Sequence, residues 1–150
     1  MHLIITRLQH LINTIPAKLL AIPEADFNDK PSPEKWSRKE IIGHLIDSAA
    51  NNHQRFVRVQ FEDVPYIKYD QNNWNAASRY GDMDSRHVIT FWAQYNQHLV
   101  EIIRRIPEAA LQRECNTGGD SNVTLGWLIE DYVAHMEHHL RQIQPDILNT

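Results

Sequence analysis

Residues 124–143, T-L-G-W-L-I-E-D-Y-V-A-H-M-E-H-H-L-R-Q-I, form the stretch around which this 150-residue chain is organised. Apolar side chains recur there at steps of three and four residues, which predicts an amphipathic helix from Thr124 to Ile143. His135 and His139 fall on its apolar face, one turn apart, with their Cβ atoms roughly 6 Å from each other. Because a histidine on such a face needs partners for its ring nitrogens, the pair indicates a shared metal ion.

The same spacing is also typical of a hydrogen-bonded or half-exposed histidine pair, and spacing alone does not decide between the two interpretations. The metalloprotease motif HExxH is excluded, because Met136 stands where its glutamate would follow the first histidine. Glu137 is expected on the far side of the helix, out of reach of a metal held by the pair. His138 lies at the flank of the apolar face and is predicted to be a rim or outer-layer group.

The composition, with 42% hydrophobic and 23% charged residues, is typical of one globular domain, which we expect to span residues 1–150. A net charge of −4 argues against a nucleic-acid partner. No apolar run approaches the ~18 residues of a membrane span, and the N-terminus does not resemble a signal peptide. Cys115 is the only cysteine, which excludes internal disulfides and favours a cytoplasmic location; in its polar, Gly-rich loop it is expected to be incidental.

Helical periodicity dominates the rest of the chain, and no segment predicts a solid strand. A first apolar stripe extends from Leu3 to Leu19, and Pro16 is expected to kink or restart that helix. Residues 24–35, E-A-D-F-N-D-K-P-S-P-E-K, are predicted to be a loop because two prolines bar a helix there.

Ser37 and Glu40 form a capping box that predicts the start of a second helix, which should run to about Phe61. Residues 62–83 are a long polar connection whose aromatic side chains favour packing over disorder. Asp84 is the predicted N-cap of a third helix, and a second connection leads from there to the last helix. Four long amphipathic helices without an internal repeat predict an all-α, four-helix bundle.

The second helix carries a polar stripe along one border of its apolar arc, formed by His44, Ser48, Asn51, Asn52 and Arg55. From periodicity alone, this stripe is best interpreted as the rim of a solvated face. Periodicity also places His53 closer than His44 to the middle of the apolar arc. A third metal ligand on this helix therefore cannot be chosen from the pattern.

Three motifs resemble the DinB-like superfamily, and in particular its YfiT-like, bacillithiol-transferase-like branch. The first, from Trp36 to Phe56, is W-S-x-x-E-x-x-x-H-L-x-D-S-x-x-N-x-x-x-R-F. The second is the E-D-V-P-Y-I-K-Y-D-Q-N-N-W of residues 62–74, and the third is the last helix with its H-x-x-x-H. The resemblance covers roughly residues 36–143 in the order of the family.

This resemblance implies an up-down-down-up bundle that holds a divalent metal, nickel or zinc. The implied metal ligands are the histidine of H-x-x-D-S and both histidines of the final motif, namely His44, His135 and His139. It also implies a possible homodimer. Two departures from close relatives concern the substrate: this chain has Cys115-Asn116 in place of a His-Pro, and Gln142 in place of a further histidine.

Three neutral imidazoles with an open coordination position are typical of a catalytic metal site. Such a metal would either lower the pKa of a bound water to ~7 or hold a small thiol as its thiolate. The first route gives a metal-dependent hydrolase, and the second a transferase that adds a low-molecular-weight thiol to an electrophile. The resemblance favours the transferase, and a non-catalytic metal-binding stress protein is a third hypothesis.

Further side chains are predicted to serve a small-molecule substrate at this site. Asp131, one turn before His135, would orient its second ring nitrogen, although an exposed helix acid is an equal alternative. An anionic substrate or thiol carboxylate would be bound by Ser48, Asn51 and Arg55. A lid over the metal would be formed by Tyr69 and Trp74, with plain packing as the alternative for the tryptophan.

Overall fold

The computed structural model describes residues 1–149, which are mostly helical. In chain order the helices are α1 (His2–Leu20), α2 (Glu24–Asn28), α3 (Arg38–Arg58), α4 (Gln71–Ser78), α5 (Ser85–Ile103) and α6 (Leu125–Ile143). Two 3-10 turns, Tyr80–Asp82 and Glu108–Gln112, and a two-residue antiparallel pair, β1 (Glu114–Cys115) with β2 (Val123–Thr124), lie in the connections. The four long helices α1, α3, α5 and α6 form the predicted four-helix bundle.

Within the bundle, α1 and α3 each pack against both α5 and α6. Helices α1 and α6 run in the same direction, because Arg7 early in α1 pairs with Glu137, while Lys18 near the end of α1 donates to the carbonyl of Ile147 just past the end of α6. Helix α6 therefore begins at the same end of the bundle as α1.

Helices α3 and α5 are also parallel to each other. Lys39, at the start of α3, donates to the carbonyl of Met83 just before α5, and His53 meets Tyr95 farther along both helices. The start of α3 meets the end of α6 at the hydrogen bond from Arg38 to the Ile143 carbonyl, so α6 is antiparallel to α3. The directions are therefore up, down, down, up, as the family resemblance implies.

Side-chain caps fix where the predicted helices begin. Ser37 accepts from the Glu40 amide while the Glu40 carboxylate accepts from the Ser37 amide, which confirms the capping box. The Asp84 carboxylate caps α5 and the Thr124 hydroxyl caps α6. These bonds satisfy amides that have no partner within the helix.

Several boundaries differ from the sequence-based expectation. Residues 24–28 form α2 ahead of the two prolines, because Phe27 buries its ring in the core and supplies packing that a local pattern does not reveal. Helix α1 continues through Pro16 without a break, and α3 ends at Arg58, not near Phe61. The long connection is ordered around α4, whose start is capped by Asp70.

The close approach of Tyr80 to α3 depends on the glycine at position 43. A Cβ atom built on Gly43 would lie 2.1 Å from Cδ2 of the Tyr80 ring, so any larger residue would displace the tyrosine. The ring is thereby held against α3, and its hydroxyl reaches the buried Asp47. No helix in the described part of the chain is long and apolar enough to span a membrane.

Candidate metal centre

Three histidine side chains from two antiparallel helices meet at one point inside the bundle. Nε2 of His135 lies 3.2 Å from Nε2 of His44 and 3.1 Å from Nε2 of His139. One ligand atom from each of the three falls within 4.8 Å of the other two. His44 on α3 is fully buried, whereas the two α6 histidines are half-buried.

This spacing of nitrogens fits a single ion bound by all three rings. A tetrahedral ion with metal–nitrogen bonds of about 2.0–2.1 Å holds its ligand nitrogens about 3.3 Å apart. The observed separations of 3.1 and 3.2 Å are close to that value. No other group of three or more His, Cys, Asp or Glu side chains within residues 1–149 converges in this way.

The surroundings keep the three imidazoles neutral, which is the form that binds a metal. Burial and the neighbouring rings of His139 and His135 lower the pKa of His44 to about 3. Burial and the adjacent histidines, with a smaller effect of the Arg55 charge, lower the pKa of His135 to about 4. Burial also lowers the pKa of His139, against the opposing effect of its hydrogen bond to Gln142.

Gln142 fixes the orientation of one of these rings. Its Oε1 lies 2.8 Å from Nδ1 of His139, so Nδ1 carries the proton and Nε2 presents its lone pair to the other histidines. The amide nitrogen of the same glutamine donates over 3.0 Å to Nε2 of the exposed His138. Gln142, where close relatives carry a further histidine, therefore supports the ligand His139 directly. His138 is not one of the three converging histidines.

Trp36 is the aromatic side chain that covers the histidines. Its ring centroid lies 4.8 Å from that of His44 and 6.5 Å from that of His139. The residue precedes the Ser37 cap of α3, so the start of this helix fixes its position. In the sequence this tryptophan stands out only as part of a motif, and its contact with the ligands was not predicted.

A groove of about 560 Å³ opens beside the centre. Trp36 and Ile41 supply apolar surface, while Gln71, Asn72 and the ligand His139 supply polar groups. The start of α4 thus forms one wall of the groove. A groove of this size would admit a small molecule next to the three histidines.

The polar stripe of α3 is more buried than the rim of a solvated face would be. Ser48, Asn51 and Asn52 are each at most 6% exposed. The amide of Asn51 donates to the Asp47 carbonyl, and the amide of Asn52 donates to the Ser48 carbonyl. The side-chain oxygen of Asn52 accepts a hydrogen bond from Arg55, so the asparagine that contacts this arginine is Asn52 and not the predicted Asn51.

The other predicted site residues lie around Arg55. The guanidinium of Arg55 is 6.0 Å from the ring of Tyr69, whose edge meets Trp74 at a centroid distance of 5.7 Å. Asp131 is exposed as a residue, but partial burial of its carboxyl group raises the pKa of that group, while the charge of Arg55 lowers it. Within residues 1–149, no hydrogen bond joins Asp131 to His135, so the orienting role of Asp131 remains a prediction.

A buried carboxyl stands one turn beyond His44. Oδ1 of Asp47 accepts a 2.6 Å hydrogen bond from the Tyr80 hydroxyl, and Oδ2 has no partner among the described residues. Burial raises the pKa of Asp47 to about 6, against the hydrogen bond from Tyr80. Nδ1 of His44 is likewise buried without a partner in the described structure.

Proteins of similar sequence are known from several bacteria. The chain is 23% identical over 144 residues to a protein of Halalkalibacterium halodurans provisionally named as a metal-dependent hydrolase, covering 93% of this chain and 84% of that one. It is also 23% identical over 139 residues to YfiT of Bacillus subtilis, which has the same provisional name, with 89% and 78% of the two chains covered.

Solved structures show the same fold. YfiT from Bacillus subtilis, described as a probable metal-dependent hydrolase with an unusual four-helix bundle topology, superimposes with a TM-score of 0.86 at 19% identity, over 95% of this chain and 82% of that chain. A mycothiol-dependent maleylpyruvate isomerase superimposes with a TM-score of 0.78 at 16% identity, over 95% of this chain and 60% of that one. The model of the DinB superfamily matches residues 5–143, and the chain therefore belongs to that family.

Proposed function

We propose that this protein is a metal-dependent transferase that adds a low-molecular-weight thiol to a small electrophile. The observation that carries the proposal is the convergence of the His44, His135 and His139 Nε2 atoms, 3.1 and 3.2 Å apart, beside a groove. The thiol is suggested by the structural likeness to a mycothiol-dependent isomerase. Nickel or zinc is the metal that we expect, since imidazole suits both.

When bound, the divalent ion would stabilise a thiol as its thiolate, which is the nucleophilic form. The residues of the chain prepare for this in three ways. The low pKa values of His44 and His135 keep their lone pairs available near neutral pH. Gln142 holds the ring of His139 in the ligating tautomer, and Trp36 packs its ring against that of His44.

The groove lined by Trp36 and Ile41 would bind the electrophile. Its apolar surface suits an aryl or alkyl group, and the amides of Gln71 and Asn72 would bind a polar substituent. Tyr69 and Trp74, on the connection that also carries α4, would close over the thiol. Asp131, one turn before His135, would orient the second ring nitrogen of that ligand.

The test is an adduct assay with purified protein loaded with nickel or zinc. Several cellular thiols would be incubated with an aryl chloride or an epoxide, and adducts would be detected by mass spectrometry. We expect adducts to form faster than in a control that contains the thiol and the electrophile but no protein. In His44→Ala this acceleration should be lost. If no thiol gives an enzyme-dependent adduct, the transferase proposal is wrong.

Metal-dependent hydrolysis is the second candidate, and it is favoured by the provisional names of the relatives from Halalkalibacterium and Bacillus. It predicts turnover of esters or amides without any added thiol, with a rate that rises towards neutral pH. A protein that binds the metal tightly but catalyses neither reaction would be a non-catalytic metal-binding protein.

A further inference from the structure

Arg55 has hydrogen-bonding capacity that the described residues do not use. Its Nε and Nη2 both donate to the carbonyl of Ile67, over 3.3 and 2.9 Å, and its Nη1 donates to Oδ1 of Asn52 over 3.3 Å. A guanidinium has five N–H groups, and each terminal nitrogen carries two of them. One N–H on Nη1 and one on Nη2 therefore have no acceptor among residues 1–149, and adjacent N–H groups on those atoms form the fork that binds a carboxylate.

The charge of Arg55 is only partly balanced, because the Asp131 carboxyl interacts with it electrostatically but forms no ion pair with it. No carboxylate of the described residues forms an ion pair with it, although arginines elsewhere on the surface pair with Glu62, Asp82, Glu101 and Glu137. Arg55 is nevertheless partly buried, and burial lowers the pKa of its guanidinium. A cation withdrawn from water is stabilised by an anion, and the carbonyl and amide oxygens that it contacts are neutral.

Arg55 lies within electrostatic reach of the metal centre. It follows His44 and Ser48 on the polar stripe of α3, and its charge contributes to the low pKa of His135. The Tyr69 ring lies 6.0 Å from the guanidinium. With a divalent ion on three neutral histidines, the centre and Arg55 together would carry a strong positive potential, which attracts anionic ligands.

We propose that Arg55 binds a carboxylate of the thiol substrate, so that the protein selects thiols whose chain carries a carboxylate several bonds away from the sulfur. The inference rests on the proposed function, because it assigns the sulfur to the metal and the carboxylate to Arg55. The guanidinium is already held in place by Ile67 and Asn52, so little conformational entropy would be lost when it binds.

The experiment compares 6-mercaptohexanoate with 6-mercapto-1-hexanol on the nickel-loaded protein. The two thiols differ only in the terminal group, and the chain is too long to favour chelation of one ion by both ends of the acid. Binding is followed by the thiolate-to-nickel charge-transfer absorption, without any turnover. We expect the acid to bind at least about tenfold more tightly than the alcohol, which is the usual effect of a charge-assisted hydrogen-bonded pair.

Three variants give the comparison its meaning. Arg55→Gln should abolish the preference for the acid while leaving the affinity for the alcohol within about twofold, and Arg55→Lys should keep part of the preference. Arg58→Gln removes the same charge from the same helix, at a residue that pairs with Glu62, and should behave as the wild type. A preference that persists in Arg55→Gln would overturn the inference.

A second measurement separates this inference from the proposed function. If neither thiol gives the absorption band, the thiol assignment fails, whatever Arg55 does. Metal-free protein is then titrated with succinate while the NMR signal of the Arg55 Nε–H group is followed. A saturable shift, retained in Arg58→Gln, would support a carboxylate site at Arg55, and an unchanged signal would remove it.

Discussion

Gln142 accepts a hydrogen bond from Nδ1 of His139 over 2.8 Å and donates one to His138 over 3.0 Å. The contact sets the tautomer of a ligand from outside the centre, because a ring that donates through Nδ1 must accept or ligate through Nε2. The identity of residue 142 thus determines how well His139 is prepared for a metal.

Gln142→Ala is expected to weaken metal binding without unfolding the protein. Removing the partner of a ligating histidine typically costs about 10–100-fold in metal affinity. The measurement is competition for zinc against a chromophoric chelator. His138→Ala removes only the outer acceptor and should have a much smaller effect; equal affinities in all three proteins would show that Gln142 does not support the ligand.

His44→Ala is expected to abolish stoichiometric metal binding, since two histidines remain of the three. His53 provides a matched control on the same helix, because its Nδ1 contacts the Tyr95 hydroxyl at 3.1 Å and its ring packs against His98, away from the centre. Elemental analysis of the proteins as purified should find metal in His53→Ala but not in His44→Ala. Metal in His44→Ala but not in His53→Ala would make His53, and not His44, the third ligand.

The buried carboxyl of Asp47 is expected to contribute less to stability as the pH rises, whereas the neutral histidines of the metal-free centre contribute more. Its pKa is about 6 in the folded protein, because burial outweighs the hydrogen bond from Tyr80, whereas an unfolded aspartate has a pKa of about 3.9. Between these values the folded state holds a proton that the unfolded state has lost, so the contribution of this carboxyl to stability falls as the pH rises from about 4 to 6. Above pH 6 this contribution becomes constant.

Urea denaturation of metal-free protein at pH 4 and pH 7 measures this effect. Relative to the wild type, Asp47→Asn should gain up to about 2 kcal/mol in the free energy of unfolding between the two pH values. Tyr80→Phe removes the hydroxyl that opposes burial and should therefore lose stability relative to the wild type between pH 4 and pH 7. An Asp47→Asn profile parallel to the wild type would contradict the assignment.

Gly43→Ala is expected to destabilise the fold, because the new methyl group would lie 2.1 Å from the Tyr80 ring. Overpacking of this kind costs about 1–3 kcal/mol. Gly81→Ala is the control, since a Cβ atom there meets nothing within 4 Å. Thermal unfolding of the two variants should separate them clearly; equal midpoints would mean that the tyrosine moves aside at little cost.

The starts of the long helices could be predicted from the sequence because they depend on local chemistry. The Ser37 capping box and the Asp84 cap are confirmed, and the last helix begins next to Thr124, as predicted. The α2 helix was missed, since the burial of Phe27 is a tertiary contact. Helix directions were not accessible from periodicity either, because they depend on where the connections return the chain.

The metal centre, like the fold, could be predicted only in part from the sequence. The spacing of His135 and His139 identified two of the convergent side chains, but the α3 pattern favoured His53 over His44, and only the family resemblance pointed to His44. Periodicity failed there because the face that meets α6 includes part of the polar stripe. Trp36 and Gln142 were recognised as motif positions, yet their contacts with the rings exist only in three dimensions.

His44 and His135 are separated by 91 positions along the chain and meet only when the last helix has docked. A cation shared between them would act as a removable cross-link that closes most of the polypeptide into one loop and penalises its unfolded ensemble. During synthesis, no chain ending before α6 could make that closure. Metal capture would then mark the completion of folding, and chelation would remove this cross-link between α3 and α6.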